Sequence, residues 1–206
     1  MPNNKALILV DLQNDFCSGG SLAVPDADSI ISMANQLQAQ FNFIIATKDW
    51  HPATHSSFAI NHPDKKIGDI VHVNSIEQIL WPVHCVQNSF GAEFHPQLET
   101  FLIQKIFYKG IDPFIDSYSA FFDNAHQRST GLAEYLHSCA IQSIYIMGLA
   151  TDYCVKYTCL DAVSLGFDTY LIADACRGVE LNEGDMQRAL DEMKTNQVKI
   201  IHSQDI

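Results

Sequence analysis

The stretch "SIYIMGLATDYCVKYTCLDAVSLGFDTYLIADAC", residues 143–176, sets two apolar runs on either side of a helical segment with almost nothing between them. "SIYIMGLA" and "DTYLIADAC" are continuous rather than alternating, which predicts strands buried on both faces. "TDYCVKYTCLDAVSLG" predicts a helix that begins at once and stops at Gly166. Strand, helix, strand is the crossover unit that joins parallel strands.

The same alternation extends outward. "KALILVDL" (5–12) predicts a first strand, and "PDADSIISMANQLQAQ" (25–40) a helix opened by Pro25 and acidic residues. "FNFIIATKDW" (41–50) and "IQKIFYKG" (103–110) predict the second and third strands. "STGLAEYLHSCA" (129–140) predicts a helix with Ser129 or Thr130 at its N-cap. "NEGDMQRALDEMKTN" (182–196) predicts a last helix and "VKIIHS" (198–203) a sixth strand. The fold class that follows is α/β: a three-layer, doubly wound arrangement with a six-stranded parallel sheet. Residues 1–206 are expected to form a single domain, with an insertion at about 51–101 that breaks the rhythm. That long, mostly irregular region holds six of the nine histidines, which suits function better than disorder.

Composition narrows the classes of partner. The chain is 47% hydrophobic and 17% charged, with a formal net charge of -12. Such a balance repels a phosphate backbone, so nucleic acid is not expected as a partner. No apolar run is long enough to span a bilayer or to form a signal-peptide core, so no membrane contact is expected and the expected location is cytoplasmic. The six cysteines show no CxxC pair, which speaks against a zinc knuckle or a disulfide framework. Monomer and homo-oligomer both stay open.

In open α/β sheets ligands bind outside the carboxyl ends of the strands. Those ends carry Asp11 on the first strand, Asp49 with His51 on the second, Lys109 on the third, and Cys154 just beyond the fourth. Singly, each has an ordinary reading as a loop cap, a solvated lysine or a core thiol. Together they make a workable nucleophilic set: a thiol, a carboxylate to take its proton, and a lysine to keep that carboxylate ionised. A helix start at Cys154 is expected to favour its thiolate. The chain reversal at "GLATDYC" could offer the N–H groups of Ala150 and Cys154 to an oxyanion.

Asp49 and His51 share a face of an extended chain, as two ligands of one ion must. His84 in "WPVHC" and His55 are the candidates to complete the set, which would leave open positions on the ion. His55 also has a plain role, capping the "SSF" turn.

"ILVDLQNDF" (8–16), "ATKDWHPATHSSF" (46–58), "WPVHCVQNSFGAEFHP" (81–96), "FYKG" (107–110) and "GLATDYCVKYTCLDA" (148–162) resemble, in order, the nicotinamidase (pyrazinamidase) branch of the isochorismatase-like hydrolases. The resemblance implies a metal-dependent amidase that converts nicotinamide to nicotinate and ammonia in NAD salvage, with pyrazinamide as a further substrate. It matches Asp11, Lys109 and Cys154 to a catalytic triad, and Asp49, His51 and His84 to the ligands of one divalent metal, zinc ahead of iron or manganese. His55 matches a further ligand found in some members. Phe16, Trp81 and Tyr118 match the aromatic walls of the substrate pocket, and the Leu149–Ala150 bond is expected to be cis. Val83 and Phe90 depart from the family's usual residues. Other amide or carbamoyl-amide hydrolases of the superfamily are the rival reading, and a non-catalytic metal-binding protein is another. The second has no use for Lys109 and Cys154 at matched strand ends.

Overall fold

The computed structural model describes residues 4–206. The apolar runs become β1 (Lys5–Val10), β2 (Phe43–Asp49), β5 (Lys105–Lys109), β6 (Ser143–Leu149), β7 (Asp168–Arg177) and β8 (Lys199–Ile201). Two further strands, β3 (Ile70–Val73) and β4 (Ile76–Ile79), form a separate antiparallel hairpin. The six-stranded sheet has the order β5-β2-β1-β6-β7-β8, and every pair in it is parallel. Chain order therefore reverses direction between β1 and β6, the kind of switch point at which α/β sheets open a crevice.

Ala6 through Val10 are completely buried one after another, so both faces of β1 are covered. The helices are α1 (Ser29–Gln38), α2 (Leu132–Ser138), α3 (Lys156–Ser164) and α4 (Asp185–Thr195). None is long and apolar enough to cross a membrane.

Several expected boundaries move. α1 starts at Ser29 and not at Pro25, because Asp26 takes a left-handed φ of 57° that a helix cannot continue through. Gly131, with φ 86°, occupies the N-cap of α2 in place of Ser129 or Thr130. Those two brace the turn ahead of it: Ser129 Oγ accepts the Gly131 N–H at 2.9 Å and Thr130 Oγ1 the Leu132 N–H at 3.2 Å. The segment after β6 opens with a π-helical turn, Thr151–Val155, before α3 begins. The region at 51–101 is also less irregular than expected, since it carries the β3–β4 hairpin and two short 3-10 turns.

Candidate active site

Asp11 stands immediately after β1 with a left-handed φ of 52°, and its side chain is fully buried. Thr47 on β2 donates its hydroxyl to Asp11 Oδ1 at 2.6 Å and accepts the Asp11 N–H at 3.2 Å. Lys109, the last residue of β5, places Nζ 2.8 Å from Asp11 Oδ2 and 3.2 Å from Cys154 Sγ. The same ammonium also pairs with Asp49 Oδ1 and donates to Ser117 O at 3.1 Å. The three residues matched to a triad thus meet around one nitrogen.

Burial pushes the Lys109 ammonium down, but Asp11 and Asp49 outweigh it and hold it charged well above the usual lysine range. Burial also dominates at Asp11, raising its carboxyl despite Lys109. Asp49 goes the other way: burial would raise it, yet Lys109 and His51 keep it well below the usual carboxylate range. The expected lowering of the Cys154 thiol is not found. Burial pushes it well above the ordinary thiol value, Lys109 opposes this only in part, and Asp11 adds to it. A helix start cannot compensate for the lost hydration of a thiolate that is almost fully enclosed.

Asp49, His51 and His84 form a second cluster, sharing Asp49 with the first. His51 Nε2 and His84 Nε2 lie 3.5 and 3.7 Å from Asp49 Oδ2. Each ring's other nitrogen faces a backbone carbonyl: His51 Nδ1 meets Gly110 O at 2.9 Å and His84 Nδ1 meets Pro82 O at 2.8 Å. A carbonyl can only accept, so Nδ1 carries a proton and Nε2 is the ring atom turned toward Asp49, the one that can bind a metal. This is the outer-shell arrangement that orients histidines for a metal, and the donor set fits a divalent cation. Gly110 is required beside it, because a Cβ there would lie 2.2 Å from His51 Cε1.

His55 is completely buried next to His51, with ring centroids 4.3 Å apart. Its Nδ1 accepts the Ser57 N–H at 3.2 Å and meets Ser57 Oγ at 2.7 Å, so it caps the turn. Its Nε2 has no hydrogen-bond partner among the described residues. Burial pushes its pKa down to about 4, so the ring stays neutral.

A cleft opens between the clusters, lined by Phe16, Trp81, Tyr118, Ala150 and Cys154 together with Asp49 and His84. Trp81 Nε1 donates to Tyr118 Oη at 3.1 Å, fixing two aromatic walls against each other. The bond Leu149–Ala150 is cis. The N–H groups of Tyr153 and Val155 donate to Ala150 O at 3.1 and 3.0 Å. Val83 and Phe90 lie on the surface and take no part.

Other residues in the site were not anticipated. Gln13 is buried and clamps Asp49: Nε2 donates to Asp49 O at 2.8 Å and Ala92 O at 2.9 Å, and Oε1 accepts the Asp49 N–H at 2.8 Å. Asp15 Oδ2 accepts the Cys85 N–H at 2.7 Å, which pins the loop carrying His84. Asp116 lines the cleft near His51 and His55, and Leu22, Tyr153 and Val179 add walls.

Comparison with known proteins agrees with this geometry. Residues 5–205 match the isochorismatase domain family. The chain is 48% identical to a nicotinamidase of Escherichia coli (strain K12), over 92% of this chain and 90% of that protein. Among solved structures, it is similar to an Acinetobacter baumanii nicotinamidase/pyrazinamidase at a TM-score of 0.97 and 47% identity, covering 100% of this chain and 99% of the other. A pyrazinamidase of Pyrococcus horikoshii, solved in complex with zinc, matches at a TM-score of 0.79 and 38% identity over 97% and 99% of the two chains.

Proposed function

The chain belongs to the isochorismatase family, and from that premise we propose that it hydrolyses nicotinamide to nicotinate and ammonia through a thioester on Cys154. The observation that carries the reading is the single Lys109 ammonium touching Asp11, Asp49 and Cys154 at once. It joins a thiol nucleophile and its base to a metal-ligand cluster across one cleft.

The charges decide the order of events. At rest the thiol holds its proton, as its raised pKa requires. Moving that proton to Asp11 exchanges one buried anion for another, both beside Lys109, so no new net charge is buried. Cys154 Sγ then attacks the carboxamide carbon, and the oxyanion lies toward the Ala150 and Cys154 N–H groups. Asp11 returns its proton to the leaving nitrogen and ammonia departs. A water molecule attacks the thioester, giving up a proton to Asp11, which passes it to the departing Cys154 sulfur; the free thiol and nicotinic acid result, and the acid ionises to nicotinate with its proton going to solvent or ammonia. Phe16, Trp81 and Tyr118 hold the flat ring.

Asp49, His51 and His84 would hold one divalent cation, which supplies a Lewis acid for the pyridine nitrogen. Zinc suits this nitrogen-and-oxygen set, and the related Pyrococcus horikoshii structure contains it. His55 is read as the cap of its turn and not as one of the three ligands. Activity on pyrazinamide, a role in NAD salvage and a cytoplasmic location belong to the same proposal.

The test is ammonia release from nicotinamide by purified protein, with Cys154→Ala, His84→Ala and a metal analysis. The reading expects an active parent, a dead Cys154→Ala that still holds metal, and a His84→Ala that loses both. A metal-loaded parent that releases no ammonia from any pyridine carboxamide would falsify it.

A further inference from the structure

A second group of metal-binding side chains lies outside the reaction. Cys17 follows the 3-10 turn Asn14–Phe16, Asp28 immediately precedes α1, and His95 sits in the loop beyond Phe94. One donor atom from each lies within 4.8 Å of the other two. Cys17 is buried, Asp28 is exposed and His95 is half-buried, at a surface pocket of about 250 Å³ that Cys17 and His95 both line.

The cluster is already partly organised. Asp28 Oδ1 accepts the Ser18 N–H at 3.1 Å, so its carboxylate is held against the Cys17 loop. Among the described residues the His95 ring makes one long hydrogen bond, accepting the Gln97 N–H at Nδ1 at 3.3 Å, so turning the ring costs little. Around a tetrahedral zinc, sulfur, nitrogen and oxygen ligands stand roughly 3.5 Å from one another, given bond lengths near 2.0–2.3 Å. Closing from a separation of at most 4.8 Å needs a shift of about an ångström at most, which the two more exposed side chains can make by rotamer changes.

We propose that Cys17, Asp28 and His95 form a second cation site, separate from the catalytic cluster, which takes a thiophilic divalent ion, zinc above all. Magnesium and calcium favour all-oxygen sets and are excluded by the thiol. Without an ion, burial and then Asp28 push the Cys17 thiol up to about 12. Binding therefore forms a sulfur–zinc bond and breaks the S–H bond, releasing one proton to solvent with no change of oxidation state. The site would tie the neighbouring residues Cys17 and Asp28 to the loop at His95, distant in the chain. Because Cys17 adjoins Phe16, which lines the catalytic cleft, an occupied site would also restrain a wall of that cleft.

The experiment strips the full-length protein with a chelator, returns zinc alone, removes unbound metal and counts zinc per chain. The parent is expected to hold two ions; Cys17→Ser and His95→Ala each hold one fewer, and so does His84→Ala. In His84→Ala, where only the second site remains, zinc is expected to slow alkylation of the Cys17 peptide at least about tenfold, read by mass spectrometry. The half-buried His95 guards against a folding failure at Cys17, with circular dichroism checking both variants. The same zinc count in the parent, Cys17→Ser and His95→Ala overturns the proposal, as does alkylation of Cys17 that zinc leaves unchanged.

Discussion

Thr47→Val tests whether Asp11 is the base. Thr47 is fully buried, and its hydroxyl hydrogen-bonds Asp11 Oδ1 at 2.6 Å. Valine keeps the shape and removes the donor. A hydrogen bond to a charged group contributes about 1.5–3 kcal/mol, and a pKa unit corresponds to about 1.36 kcal/mol. Burial already raises Asp11 above the usual range, with Lys109 and Thr47 opposing it. Losing the Thr47 bond favours the protonated form, so the pKa moves further up, by about 1–2 units. A base must be ionised to act, so the acid limb of kcat/KM for ammonia release should shift to higher pH by the same amount. Below the limb the variant should be about 10–100-fold slower, and above it the two enzymes should converge. Thermal unfolding should show a fall of about 3–10 °C from the group left unpaired. A loss of activity equal at every pH, with the limb unmoved, would refute the assignment of Asp11 and leave Thr47 as mere packing.

Four further outcomes are expected. Cys154→Ala should lower kcat more than about 10⁴-fold while zinc content stays at the parental level, and residual turnover near the parent's would remove Cys154 as nucleophile. His84→Ala should weaken zinc binding at the catalytic cluster at least about 100-fold in a chelator competition, and unchanged affinity takes His84 out of the ligand set. Gln13→Ala leaves buried backbone groups of Asp49 and Ala92 without partners, so calorimetry should register about 2–5 kcal/mol, or a Tm lower by about 5–15 °C. Tyr118→Phe deprives Trp81 Nε1 of its acceptor; KM for nicotinamide should rise about 2–10-fold with kcat nearly constant, and a fall in kcat alone would argue against a wall role.

The centre of the sheet was legible because its strands are largely buried on both faces and so read as unbroken apolar runs, as "ALILV" and "IYIM" do. The β3–β4 hairpin gave no such signal. Its strands are four residues each, and most of their side chains are exposed or half-exposed, so no apolar period marks them. The turn did leave a trace: Asn74 and Ser75 both take positive φ, 51° and 67°, the conformation of a two-residue hairpin turn that asparagine tolerates. The late start of α1 was hidden for a related reason. Pro25 and the acids around it suit a first helical turn by composition, and only the backbone angle of Asp26 shows that they form a separate turn.

At the site, the legible residues are those whose position in the chain fixes their position in space. Asp11, Asp49 and Lys109 stand at the ends of three adjacent parallel strands, and the order β5-β2-β1 brings them together without any knowledge of side-chain packing. His84 and Trp81 arrive on a loop: from the residues alone His84 was one of two candidates, beside His55, and Trp81 was reachable only through the resemblance. Gln13, Thr47 and Asp116 were not reachable at all, because their work is done on partners distant in sequence: Gln13 and Thr47 each act across 36 residues. A glutamine after a strand has many possible partners, and nothing local selects Asp49 among them. The Cys154 thiol shows the same limit from the other side. The local rule, a cysteine at a helix start, predicts an easier thiolate, whereas the measure of its acidity is how completely the cleft excludes water. That exclusion comes from Phe16, Trp81 and Tyr118 as much as from the residues around Cys154 in the chain. The acidities of the proposed nucleophile and base are therefore linked through Lys109. Asp11 is raised and Cys154 is raised by the same burial, and Lys109 stabilises the anion on either one. What the enclosure costs each group alone it costs the pair only once, which is why a thiol so hard to ionise can still be the nucleophile.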